Sequence, residues 1–153
     1  MKITEHFDSR EFEVTDLKEY LNKNKLTPEA LQNVRALCIN VLEPLRAIWG
    51  EPLSINSGYR CPDLNQAVGG RPTSQHVRGQ AADVCPAPRR NAKFSSETII
   101  ELGQKAINKG IPFDQLILYP TFCHISYNPL RGSNQRGDIL YSKAWVEHYK
   151  DRI

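Results

Sequence analysis

A chain of 153 residues fits one domain, and that length can bury a core without metal or disulfides, so a bound metal would serve function rather than folding. A composition of 40% hydrophobic and 24% charged residues suits a soluble globular protein, and a net charge of +3 is too small to argue for nucleic acid and is at most compatible with attraction to a polyanionic wall or surface, so no nucleic-acid partner is expected. No stretch approaches the roughly 20 apolar residues of a membrane span, and the start, Met1 to Asp8, lacks the apolar run of a signal peptide, so cytoplasmic synthesis without a readable export signal or membrane attachment is expected, with any action on a cell wall requiring release by other means.

In chain order, residues 16–23 read as a short helix with Asp16 as N-cap. The strongest helix follows. Thr27 caps it, and Pro28 sits in the first turn, where a missing N–H costs nothing. Apolar side chains then recur at Leu31, Val34, Leu37, Cys38, Val41, Leu42, Leu45 and Ile48, a core-facing stripe that ends before Gly50. Pro44 interrupts this stripe and predicts a kink or rearranged last turns. Leu53 to Ser57 alternates like a strand, and a long loop rich in Pro, Gly, Asn and Ser is expected over 61–75.

Residues 81–85 read as a buried strand closed by Pro86 and Pro88. Ser95 or Ser96 caps a helix over 97–109, with Ile99, Ile100, Leu102, Ala106 and Ile107 inward and Gly110 as its stop. Residues 113–119 and 122–127 form a predicted hairpin. Residues 138–141 repeat the strand pattern weakly, and a last helix from Ser142 would pack Trp145 and Tyr149. Helices first, then short strands with one inserted helix, predict an α+β fold with a small antiparallel sheet packed against helices. Cys38, Cys61, Cys85 and Cys123 are widely spaced and read as reduced, small buried side chains.

The densest chemistry lies in Ser74-Gln75-His76-Val77-Arg78-Gly79-Gln80-Ala81-Ala82-Asp83. A catalytic zinc takes three ligands from His and Asp or Glu and keeps one position open. His76 on a turn and Asp83 on the next strand can converge, with Gly79, Ala81 and Ala82 letting the backbone pass close beneath a metal. A third ligand must come from the terminal regions (His6, His148) or from the hairpin strand (His124). On that strand, alternation sets His124 and Ser126 opposite Cys123 and Ile125, which makes Cys123 a poor ligand for the same metal.

The pattern Ser74-x-His76-x-x-Gly79-x-Ala81-x-Asp83, followed by His124-x-Ser126, resembles the D-alanyl-D-alanine carboxypeptidase type of zinc peptidases. These share a fold with the Hedgehog signalling domain and include bacteriophage cell-wall endopeptidases and vancomycin-resistance dipeptidases. Ser57-Gly58-Tyr59-Arg60-Cys61-Pro62, Gly69-Gly70 and Phe113-Asp114-Gln115-Leu116-Ile117 match the pattern too, so the resemblance spans about residues 5–128.

The resemblance implies a Hedgehog/DD-peptidase-like fold in one domain and Zn2+ held by His76, Asp83 and His124. It places Arg60 over the site, where a guanidinium can hold a scissile carbonyl oxygen or a substrate carboxylate. Ser74 is expected to bind substrate or steady the loop. The implied partner is a peptidoglycan stem peptide met by a monomer, in a phage or prophage setting or as a cytoplasmic dipeptidase. Residues 61–75 and 131–137 are the expected groove walls, with Arg71, Arg131 and Arg136 available to substrate carboxylates.

One part of the pattern breaks. Relatives supply a Glu, Asp or His base shortly before the second zinc histidine, whereas here residues 118–123 hold no carboxylate and no histidine. Tyr119 stands in that place, and a phenol of reference pKa about 10 is a poor base but a good hydrogen-bond donor to an oxyanion. Asp114 alternates to the opposite face, which leaves Glu147, His148 or Asp138 to fold over the site from the tail, a choice the sequence does not decide. The break keeps open a zinc-bearing, non-catalytic module that binds wall peptides, and a metal-free structural protein.

Overall fold

The computed structural model describes residues 1–87 and 96–143. A short hairpin, β1 (Lys2–Thr4) with β2 (Phe7–Asp8), opens the chain. Residues 16–23 do not form the expected helix. A single 3-10 turn, Lys18–Tyr20, stands there, with Leu17 at its N-cap and no capping side chain.

Helix α1 (Pro28–Leu37) starts as its sequence dictates, with the Thr27 hydroxyl accepting from the Ala30 N–H. The disturbance expected at Pro44 takes the form of a π-helical stretch, Cys38–Leu42, that leads into α2 (Glu43–Trp49). Proline lacks an N–H and crowds the preceding turn, and the wider π turn absorbs both. The apolar stripe stays continuous across it, since Leu37, Cys38, Val41, Leu42 and Leu45 are all fully buried. Gly50 then closes α2 at φ 83, a left-handed conformation that suits glycine.

After β3 (Leu53–Ser57) the supposed loop is partly helical: α3 (Pro62–Ala67) forms with Pro62 in its first turn, and a 3-10 turn follows at Gln75–Arg78. Next come β4 (Ala81–Pro86), α4 (Ser96–Asn108), β5 (Gln115–Leu118), β6 (Cys123–Ser126) and β7 (Asp138–Tyr141). In α4, Ile99, Leu102 and Ala106 are buried, but Ile107 is exposed rather than inward. The capping role of Ser95 and the last helix with Trp145 and Tyr149 lie outside the described residues.

The sheet runs β3-β4-β6-β5-β7. It is mixed, not antiparallel, because β7 pairs parallel to β5 while the other neighbours are antiparallel. A return through residues 127–137 brings the chain back to the same end of β5, and that connection forces the parallel direction. Leu53, Ile55, Val84, Leu116 and Ile125 cover one face and join the α1, α2 and α4 side chains in a single core. The α+β class therefore holds. Alternation leaves the opposite face to Asp83, His124 and Ile117, which are neighbours in register.

Candidate metal centre and its cavity

Asp83 on β4 and His124 on β6 are direct cross-strand partners. Their side chains meet on the face away from the core, with His124 Nδ1 3.1 Å from Asp83 Oδ1. His76 comes from the 3-10 turn, its Nε2 3.2 Å from the same oxygen. One ligand atom from each residue lies within 4.8 Å of the other two, a spread that a single metal ion can close. Cys123 points into the core as alternation requires, and burial raises its thiol pKa far above the usual range, so it is no ligand.

Local structure holds this geometry in place. The Ser74 hydroxyl caps the turn by accepting from the His76 N–H at 3.2 Å. Gly79 ends the turn at φ 75, and a Cβ there would stand 2.5 Å from the Ala30 carbonyl oxygen. Its role is thus the left-handed turn and close packing on α1, rather than clearance beneath a metal. The His76 Nδ1–H donates to the Gly58 carbonyl at 2.6 Å, which fixes the tautomer and leaves Nε2 with its lone pair toward Asp83.

The electrostatics suit a cation. Burial alone would raise the Asp83 carboxyl, but His76 and His124 outweigh it and hold its pKa far below the ordinary value. Burial lowers the His124 pKa despite Asp83, which favours the neutral imidazole that a metal needs. Two imidazole nitrogens and a carboxylate oxygen are zinc-type donors that leave a fourth position open, so the residues present fit zinc.

The three residues lie in a cavity of about 830 Å³, within the roughly 300–1,000 Å³ of ligand sites. Arg60 lines it, donating its backbone N–H to the His76 carbonyl at 3.1 Å and Nη2 to the Ser74 hydroxyl at 3.3 Å. Burial lowers the Arg60 pKa, with Asp83 and Tyr119 opposing, and no carboxylate pairs with it among the described residues. The Ser74 hydroxyl is occupied by Arg60 and the His76 N–H, which is a steadying role.

Tyr119 also lines the cavity, its ring stacked on Phe122 at 4.4 Å. Burial and the nearby Asp83 raise its pKa against the pull of Arg60, so the phenol stays protonated at neutral pH. Asp83 is the sole carboxylate lining the cavity among the described residues. Asp114 is buried and accepts from the Arg136 N–H, Arg136 Nε and Gln75 Nε2. Asp138 pairs with Arg136 at 3.4 Å, and Glu147 and His148 lie outside the described residues. His6 is remote from the site, bonded to Glu43.

The expected walls are half realised. Arg71, Thr73, Ser74 and Gln75 line the cavity from the 61–75 stretch, whereas Arg136 alone does so from 131–137. Arg131 and Arg136 both turn to Asp114, so neither guanidinium is unpaired. Sequence reasoning missed the Gly58 carbonyl, a backbone atom with no side-chain signal. It also missed Ile117, Phe122 and Leu140, which line the apolar side. Alternation from His124 across the hairpin was the available signal for Ile117.

A family model described as Peptidase M15 matches residues 6–113. That span contains Arg60, Ser74, His76 and Asp83 and ends before His124, whose place in the site rests on the β4–β6 register. No curated protein matches the chain.

Proposed function

The chain belongs to the peptidase M15 family, and from that premise we propose that it is a zinc-dependent peptidase acting on the stem peptides of peptidoglycan. The reading takes residues 1–153 as a single domain of Hedgehog/DD-peptidase type. One observation carries it: His76, Asp83 and His124 converge, and Gly58 presets the His76 tautomer for a metal at Nε2.

When bound, zinc supplies a Lewis acid that polarises a carbonyl and lowers the pKa of water. The residues of the chain do the rest. Arg60, held by Ser74, offers its guanidinium to the scissile carbonyl oxygen or to a substrate carboxylate. Tyr119, protonated, donates a hydrogen bond to the oxygen on which charge develops. The Tyr119–Phe122 stack and Ile117 exclude water from that side.

The shortage of carboxylates around the cavity favours a second reading, a zinc-bearing module that holds wall peptide without cutting it. Zinc-reconstituted protein incubated with muropeptides and read by mass spectrometry separates the two. Products that have gained water at one amide support the peptidase. Intact peptide that nonetheless raises the melting temperature supports the module, and neither effect overturns both.

A further inference from the structure

We infer that Gln75 and Asp114 are positioning residues that couple metal binding at His76 to the docking of the return segment, residues 127–137. A bound metal thus holds one wall of its own cavity in place, and that wall in turn tightens the metal. The coupling rests on the zinc reading and adds a form of regulation to the same site.

His76 is fixed from two directions. Its ring is held by the Gly58 carbonyl, whereas its turn is tied to the far side of the cavity. Gln75, the residue before it in the 3-10 turn, donates Nε2 to Asp114 Oδ2 at 3.1 Å and to Gln80 Oε1 at 3.4 Å. A carboxylate only accepts, so the amide nitrogen is the atom that faces Asp114. Gln80, 3% exposed, closes the turn by donating its N–H to the Gln75 carbonyl at 2.9 Å. Its own carbonyl accepts from the Tyr127 N–H at 2.8 Å, and its Nε2 donates to Asn128 Oδ1 at 3.4 Å. The turn therefore meets the return segment twice, at its start through Asp114 and just past its end through Tyr127 and Asn128.

The return segment draws little from the core. None of residues 128–137 is buried, and Leu130 is 92% exposed. Among the described residues its anchors are polar: Arg136 and Arg131 on Asp114, the Gly137 N–H on the Phe113 carbonyl, and Gln135 folded back on Asn128 and Gly132. A segment with few buried apolar contacts opens locally at a small cost in free energy. One oxygen, Asp114 Oδ2, accepts both from Gln75 Nε2 in the metal turn and from Arg136 Nε in the segment. Closing three ligands on a metal removes freedom from the turn, so a segment that binds the ordered turn loses less by docking. Linkage makes the effect reciprocal: the factor by which docking raises metal affinity is the factor by which metal favours docking. Arg136 and Leu140 line the cavity, so the segment and the strand after it complete the site when metal is bound.

Limited trypsin digestion of zinc-free and zinc-saturated protein tests the coupling, beside zinc affinity from competition with a chelator, in wild type and Gln75→Leu. Trypsin reads opening of the segment directly, since Arg131 and Arg136 are exposed and each is followed by an exposed glycine. Lys109, exposed just past α4 on the core side of the sheet, is the control site. In wild type we expect zinc to slow cleavage after Arg131 and Arg136 by about tenfold and to leave cleavage after Lys109 unchanged. Gln75→Leu, which keeps the bulk and removes the donor, should bind zinc about tenfold more weakly and show less than about twofold protection when saturated. The wild-type digestion needs no variant, so the coupling stays testable if Gln75→Leu fails to fold. Equal cleavage with and without zinc, equal slowing at Lys109, wild-type zinc affinity in Gln75→Leu, or protection that survives that substitution each overturns the coupling and leaves the peptidase reading standing. Wild type that takes up no zinc overturns that reading and the coupling together.

Discussion

Removing the Asp114 carboxylate tests how the cavity wall is held. Asp114 is 1% exposed and receives three hydrogen bonds, from the Arg136 N–H at 2.9 Å, Arg136 Nε at 3.0 Å and Gln75 Nε2 at 3.1 Å, and it pairs with Arg136 Nη2 at 2.9 Å. Breaking a buried ion pair from one side costs roughly 3–5 kcal/mol. Arg136 is 38% exposed and can recover water, so the low end, about 3 kcal/mol, is expected for Asp114→Asn. At about 2–4 °C per kcal/mol for a domain of this size, melting should fall by roughly 6–12 °C at pH 7.

The effect should also depend on pH. Burial alone would raise the Asp114 carboxyl, but its bonds to Arg136 and Gln75 outweigh that and hold the folded pKa below the ordinary value. A depressed carboxyl stabilises the fold above the unfolded pKa of about 3.9, and that stability is lost as pH falls through the folded pKa. Asp83 and Asp8 behave alike in both proteins, so the difference between wild type and Asp114→Asn isolates Asp114. Urea denaturation at pH 7, 5, 4 and 3 should show the full gap at pH 7 and a narrowing gap below about pH 4. A gap under about 0.5 kcal/mol at pH 7, or one that stays constant down to pH 3, refutes the reasoning.

Gly58→Ala should weaken zinc binding by about 10–100-fold in competition with a chromogenic chelator. Its Cβ would lie 2.7 Å from the Phe12 Cα, and the carbonyl that orients His76 must move. Unchanged affinity would show that the Gly58 carbonyl does not set the ligand. Tyr119→Phe should lower kcat by about 10²–10³-fold with KM and zinc content intact, as expected for loss of an oxyanion donor. An unchanged kcat removes Tyr119 from the chemistry. Gly79→Ala should destabilise the fold by more than about 1 kcal/mol, because φ is 75 and the Ala30 carbonyl is in the way. A melting temperature equal to wild type contradicts that packing.

The convergence of His76, Asp83 and His124 was the most legible part of the chain, because metal-type donor chemistry is carried by residue type and strand alternation by simple period. His76 and Asp83 share one short motif, and His124 follows from its place opposite Cys123 on a strand. The start of α1 was legible for a similar reason, since Thr27 and Pro28 are local signals. What failed depends on distant parts of the chain. The parallel edge strand β7 follows from where residues 127–137 anchor, largely on Asp114 through Arg136 and Arg131. Helix α3 is six residues long, too short for a periodic stripe, and Cys61 caps it without a side-chain bond. The Asp16 signal was present, but the segment buries none of the residues in its turn, and a helix that covers no core gains little from propensity alone. The Gly58 carbonyl has no sequence signature at all.

The proposed zinc centre is tested most directly by metal content. Protein reconstituted with zinc, dialysed and analysed by mass spectrometry of the metal should carry one zinc per chain. His76→Ala, Asp83→Ala and His124→Ala should each lose it while remaining folded by circular dichroism. Zinc-free wild type after reconstitution, or full zinc retained in the three variants, contradicts the account.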